Sequence, residues 1–143
     1  MSLGSRGRPP YTDAMHLVSD LMAGDLLTVE PGSRVADAAK SMDDRRVGAA
    51  LVFEADRLVG VFTERDVLRA VAHGLSDDAK VGDFMTRGPE TIESDDTVEH
   101  AAVLMIHGGF RHLPVVDAGK VVGILSIRDL MRSVLDDAAP RGV

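Results

Sequence analysis

Two stretches bring together the residues best suited to chemistry. In Gly60-Val-Phe-Thr-Glu-Arg-Asp66 a hydrophobic run ends in the Thr63 hydroxyl, and the Asp66 carboxylate follows three positions later. Gly123-Ile-Leu-Ser-Ile-Arg-Asp129 repeats the arrangement with Ser126 and Asp129. An ionised carboxylate only accepts hydrogen bonds, and it can take one from each of the two adjacent hydroxyls of a ribose. A hydroxyl one turn earlier can donate to a phosphate, and the N–H groups that open a helix favour an anion there. The same pair also caps a helix, the hydroxyl bonding backbone N–H groups and the carboxylate lying at the positive end of the helix dipole. One copy alone favours capping. Two copies in register shift the weight towards ligand contact, and the roles coexist because a carboxylate has several acceptor sites.

The elements that must position these groups form a repeat. Val18, Asp20, Met22, Thr28, Val35, Ala38, Met42, Gly60, Arg65, Asp66 and Arg69 recur as Val81, Asp83, Met85, Thr91, Val98, Ala101, Met105, Gly123, Arg128, Asp129 and Arg132, always 63 residues apart. About 17 of about 54 positions match without a gap, which points to duplication. Each copy reads as a short extended piece (Leu26 to Val29, or around Thr91) followed by a helix with apolar residues at Val35, Ala38, Ala39, Met42 or Val98, Ala101, Ala102, Met105. Ser33 and Asp96 are its natural N-caps, with Glu99 at capping-box spacing from Asp96. Two hairpins come next, residues 49–53 with 58–62 and residues 113–116 with 121–125. A closing helix runs from Glu64 to about Ala72, or from Ile127 to about Leu135, with Val67, Leu68, Val71 or Leu130, Met131, Val134 expected inward. The order β-α-β-β-α thus occurs twice. The expected division is an N-terminal arm over 1–15, repeats over 16–73 and 81–135, a linker over 74–80 and a tail over 136–143. A unit of this size buries too small a share of its surface to stand alone, so the copies are expected to pack together and frame small-molecule clefts at their seam.

Composition narrows the function classes. With 143 residues, 45% of them hydrophobic, the chain suits one folded domain. Lys plus Arg number 16 against 23 Asp plus Glu, a net charge of −7 that repels phosphodiester backbones, and aromatics at 3% offer few rings for base stacking. Nucleic-acid binding through Arg6 and Arg8 is therefore disfavoured. The absence of cysteine excludes disulfides and thiolate chemistry. No apolar run approaches membrane-spanning length and the start lacks a signal core, so no membrane association and a cytoplasmic location are expected. His16, His73, His100, His107 and His112 show no His-x-x-x-His or carboxylate–His pattern on a single face, and no metal site is expected. No phosphate-binding loop, nucleophile elbow or dinucleotide fingerprint occurs, and Glu64 has no activated nucleophile beside it, so the chain does not read as an enzyme.

Taken together, the two in-register copies, Asp20-Leu-Met22 and Asp83-Phe-Met85 ahead of them, His112-Leu-Pro-Val-Val-Asp117 and the repeated Gly-x-x-Thr/Ser-x-x-Asp resemble a cystathionine β-synthase (CBS) domain pair, or Bateman module. The resemblance covers about residues 16–135. It implies an α/β (α+β) fold of two tandem β-α-β-β-α CBS repeats packed with pseudo-two-fold symmetry. It also implies an adenosine-containing ligand between the repeats: AMP, ADP or ATP before S-adenosylmethionine or NAD. Such pairs form disc-shaped homodimers and regulate a partner protein, here sensing energy or metabolite state, with no cofactor required. A ligand-independent dimeric interaction module is the competing reading.

The resemblance assigns Thr63 and Asp66, and Ser126 and Asp129, to phosphate and ribose contact. Arg111 and His112 stand where family members often place phosphate-contacting bases, and the first copy has Gly48 and Ala49 there. Because an aspartate repels a phosphate unless a cation compensates, the Ser126–Asp129 site is expected to prefer a phosphorylated ligand and the Thr63–Asp66 site to be weaker, nucleoside-like or empty. Arg65 and Arg128 either add charge to these sites or point to solvent. Family analogy makes Met22 and Leu27, or Met85 and Glu90, lining residues for the base.

Overall fold

The computed structural model describes residues 17–138, so the arm expected over 1–15, His16 and residues 139–143 of the expected tail lie outside the described residues. In chain order the elements are α1 (Val18–Leu21), β1 (Thr28–Val29), α2 (Val35–Arg45), β2 (Ala49–Glu54), β3 (Arg57–Thr63), α3 (Glu64–Ala72), α4 (Val81–Phe84), β4 (Thr86–Arg87), β5 (Ile92–Glu93), α5 (Val98–Gly108), β6 (His112–Asp117), β7 (Lys120–Ser126) and α6 (Ile127–Ala138). Behind the short lead-in pieces α1, α4 and β4, this is β-α-β-β-α written twice. Both hairpins form as expected, each with a register shift near its middle.

The elements assemble into two compact units, residues 25–90 and residues 17–24 with 91–138. In the first, the sheet order is β1-β2-β3-β4, with β1 parallel to β2 and the other pairs antiparallel. Val35, Ala38, Met42, Val52, Phe62, Val81 and Met85 are among its buried core residues. In the second, β5 runs parallel to β6 and β6 antiparallel to β7, over a core that includes Val18, Val98, Ala101, Met105, Leu113, Val115 and Leu125.

The lead-in segments are exchanged. Val81 and Gly82, which open the second repeat, donate backbone N–H bonds of 2.9 Å to Ser33 and Pro31, and β4 pairs with Gly60 and Val61 of the first repeat. Reciprocally, Val18 and Ser19 donate to the carbonyls of Asp96 and Ser94, and Ala23 exchanges bonds of 2.9 and 3.0 Å with Ile124. Two repeated residue types meet here. A Cβ added at Gly60 would lie 2.6 Å from Met85 Sδ and 2.9 Å from the Thr86 carbonyl oxygen; at Gly123 it would lie 2.5 Å from Met22 Sδ and 3.0 Å from the Ala23 carbonyl oxygen. The repeated glycine therefore clears space for the methionine and backbone of the lead-in that crosses it.

Two expectations about the helices are corrected. Leu68, Val71, Met131 and Val134 are exposed rather than inward-facing, so Met131 is not core packing, although Met42 and Met105 are. The inward faces instead carry Asp66 and Ala70, one turn apart on α3, and Leu130 and Ser133, three residues apart on α6. The caps also differ: α2 starts after Arg34 and α5 after Thr97, whose hydroxyl accepts from His100 N at 3.1 Å. Ser33 and Asp96 instead bond within their turns, Ser33 Oγ accepting from Glu30 N and Asp96 Oδ1 from Thr97 N. At the far ends, Arg46 and Gly109 adopt the left-handed conformation (φ 56° and 74°) that closes α2 and α5.

Candidate functional site

Each strand-to-helix junction is built by the same local logic. At the first, β3 ends in extended backbone at Thr63, and the Asp66 side chain reaches back to the Thr63 N–H to cap α3. Thr63 N donates to Asp66 Oδ2 at 2.9 Å, and the Thr63 hydroxyl donates to the same oxygen at 3.2 Å. At the second, Ser126 N donates to Asp129 Oδ2 at 2.9 Å and Asp129 N donates to Ser126 Oγ at 3.1 Å. Capping therefore occurs at both junctions. It engages Oδ2 in each case, and the remaining oxygen decides what else the carboxylate can hold.

That oxygen is treated differently in the two copies. Asp66 Oδ1 accepts from Arg69 Nη1 at 3.1 Å, and the same nitrogen donates to the Phe84 carbonyl at 3.3 Å. The Asp66 side chain is only 7% exposed. At the second junction Arg132 Nη1 stands 3.9 Å from Asp129 Oδ1, beyond hydrogen-bond distance, and the Asp129 side chain is 22% exposed. Asp129 therefore keeps more acceptor capacity than Asp66, which already takes three donors.

The second junction also gathers the basic residues expected of it. His112 lies directly across the ladder from Ser126, and the carbonyl of Arg111 accepts from Ile127 N at 2.8 Å, fixing the first turn of α6. His112 is half-buried and Arg111 exposed. At the equivalent places of the first unit, Ala49 faces Thr63 and Gly48 accepts from Glu64 N at 3.0 Å, which puts no cation there. Arg65 and Arg128 are exposed and bond to no described residue. Met22 lies with the Ser126–Asp129 junction, across Gly123, and Leu27 lies with the Thr63–Asp66 junction, so the two fall in different units. Met85 crosses Gly60 in the first unit, and Glu90 is exposed.

Arg69 was given no role by the sequence argument, although its signal was present: Asp-x-x-Arg, one helical turn apart, recurs as Asp129 and Arg132. The histidine reading is also corrected. His100 Nδ1 lies 2.6 Å from Asp96 Oδ2, a carboxylate–His pair four residues apart at the start of α5. Among the described residues no group of three His, Asp or Glu side chains is arranged to hold a metal ion, and no helix is long and apolar enough to cross a membrane.

Comparison with known proteins agrees with this architecture. The CBS domain family matches residues 18–73 and 81–136, most of the chain. The chain belongs to the CBS domain family. It is similar to an uncharacterised 17.7 kDa protein of Acidianus ambivalens, 38% identical over 121 residues that make up 83% of this chain and 73% of that protein. Some relatives are far longer: the chain spans 26% and 24% of two CBS domain-containing proteins of Arabidopsis thaliana. Among solved structures, the CBS domain pair of protein MJ0100 in complex with 5′-methylthioadenosine and S-adenosyl-L-methionine superposes with a TM-score of 0.75 at 28% identity, covering 82% of this chain and 94% of that one. CBSX2 of Arabidopsis thaliana in complex with AMP superposes with a TM-score of 0.71 at 33% identity, covering 85% and 97%.

Proposed function

We propose that this CBS pair is a regulatory adenine-nucleotide-binding module, without enzymatic activity, whose principal site is the Ser126–Asp129 junction. The observation that carries the reading is Asp129 Oδ1, an acceptor left over after capping and partly open to solvent. In this reading the carboxylate takes the two ribose hydroxyls, and the Ser126 hydroxyl, which accepts from Asp129 N, still has a proton to give a phosphate oxygen. Arg111 and His112 offset the repulsion between Asp129 and that phosphate. The solved relatives in complex with AMP and with S-adenosyl-L-methionine support the ligand class. AMP, ADP and ATP come first because the basic residues suit a phosphate. Such a module works in the cytoplasm, where these nucleotides report energy state, and passes the result to a partner protein by favouring one arrangement of the chain when occupied.

Homodimerisation fits the same reading. Leu68 and Val71 on α3, Val103 and Ile106 on α5, and Met131, Val134 and Leu135 on α6 are exposed large apolar residues that such an association could bury. Sedimentation of the wild type and of Val134→Asp tests it, with a dimer expected for the first and a shift towards monomer for the second.

The competing reading is an interaction module that binds no ligand, favoured by the capping bonds at both junctions. Thermal denaturation with AMP, ADP, ATP, NAD and S-adenosylmethionine separates the two. A ligand at a hundred times its Kd adds about 2.7 kcal/mol to folding and must raise Tm. No shift with any of the five at millimolar concentration would overturn the nucleotide reading.

A further inference from the structure

We infer that Arg69 is a gate on the first junction: it holds the Asp66 carboxylate closed to a ribose and ties that closure to the exchanged lead-in helix α4. The inference rests on the nucleotide-binding reading above and assigns the regulation of its weaker site. One guanidinium nitrogen bridges Asp66 Oδ1 and the Phe84 carbonyl, and the Arg69 guanidinium carbon lies 6.0 Å from the centre of the Phe84 ring. The Phe84 ring also meets His73 edge-on, and His73 Nδ1 lies 2.8 Å from the Arg69 carbonyl. Arg69, His73 and Phe84 thus form one cluster at the last carbonyl of α4. Asp66 already receives two donors from Thr63 on its other oxygen. With Oδ2 taken twice and Oδ1 once, about one acceptor position is left, so a ribose that bonds through both hydroxyls must displace Arg69, and displacing Arg69 removes a donor from the Phe84 carbonyl. Occupancy of this junction is thereby coupled to the lead-in of the second repeat. Arg69 is 53% exposed, so it can swing into water without leaving a buried cation behind.

The second junction is the built-in control. Arg132 is 67% exposed and lies 3.9 Å from Asp129 Oδ1, and no bond joins it to Leu21, the counterpart of Phe84. A closed first site and an open second site follow from the position of one side chain.

The test uses adenosine, which is neutral, so that removing a positive charge does not itself weaken the probe. Titration calorimetry in an Asp129→Ala background isolates the first junction, and Arg69→Met is expected to tighten adenosine there at least fivefold. Arg132→Met in an Asp66→Ala background should change second-junction affinity less than twofold. Unchanged or weaker adenosine binding on adding Arg69→Met to the Asp129→Ala background, while the Arg69→Met variant that keeps Asp129 still binds AMP, overturns the gate and leaves the nucleotide reading standing. Failure of every adenosyl compound to bind wild type or variants overturns the reading on which the gate rests. A readout that needs no ligand examines the tie to α4: amide exchange over residues 81–87 should quicken at least threefold in Arg69→Met, and unchanged exchange rejects the coupling.

Discussion

The two junctions share a strand end, a hydroxyl, an aspartate three residues on and a capping bond of 2.9 Å, and they part company at the second carboxylate oxygen. At Asp66 that oxygen is held by Arg69; at Asp129 it is 3.9 Å from Arg132, and the neighbouring strand opens with His112, preceded by Arg111. Capping and ligand recognition draw on different atoms of one side chain. Showing that an aspartate caps its helix therefore does not decide whether it binds anything else.

The comparison can be broken or sharpened experimentally. The largest effect is expected where the units are built alike. Gly60→Val and Gly123→Val each force side-chain volume into the methionine and backbone of a crossing lead-in, and each should cost about 3 kcal/mol in urea unfolding. A cost under about 1 kcal/mol at either position would mean that its lead-in is not held as described. Next comes ligand affinity. Asp129→Asn keeps an acceptor for the cap but turns the other position into a donor, and it should weaken AMP at least tenfold, about 1.4 kcal/mol. Asp66→Asn should change AMP affinity less than twofold by calorimetry. Equal losses would erase the asymmetry.

Smaller again is the charge contribution. Replacing Arg111 and His112 together by Ala should lower AMP affinity about fivefold and leave adenosine binding unchanged, in keeping with about 1 kcal/mol for partly exposed charges. The smallest effect concerns the ends of α2 and α5. Arg46 holds a left-handed conformation that Gly109 adopts at less cost, so Arg46→Gly should raise stability by about 1 kcal/mol and Gly109→Ala should lower it by a similar amount, read as opposite shifts in Tm.

Much of this was legible in the chain. The 63-residue spacing gave both hairpins and the start of each closing helix, because strand alternation and the Thr/Ser-x-x-Asp cap are local signals. The pairing of Ser126 with His112, and of Thr63 with Ala49, followed once the hairpin register was known. Leu68 and Met131 are exposed against expectation because apolar residues lie on more than one face of these short helices, and periodicity alone does not say which face meets the core. The exchange of lead-ins left no periodic trace. Its marks were the Asp-x-Met and the lone glycine of each repeat, two signals whose connection exists only in three dimensions. Arg69 was visible as half of a repeated Asp-x-x-Arg, but a spacing cannot distinguish 3.1 Å from 3.9 Å.

The crossing of α1 onto β7 and of β4 onto β3 bears on how such a chain can be divided or can have arisen. A cut in the connecting segment near Asp77 leaves the first half with an uncovered β3 edge and the second half with a lead-in that has lost its strand. Neither half is a finished fold, and the two are expected to recover structure only when mixed. By the same reasoning a single repeat on its own has both a lead-in without a strand and a strand without a lead-in, which a second molecule of the same repeat could satisfy by exchange.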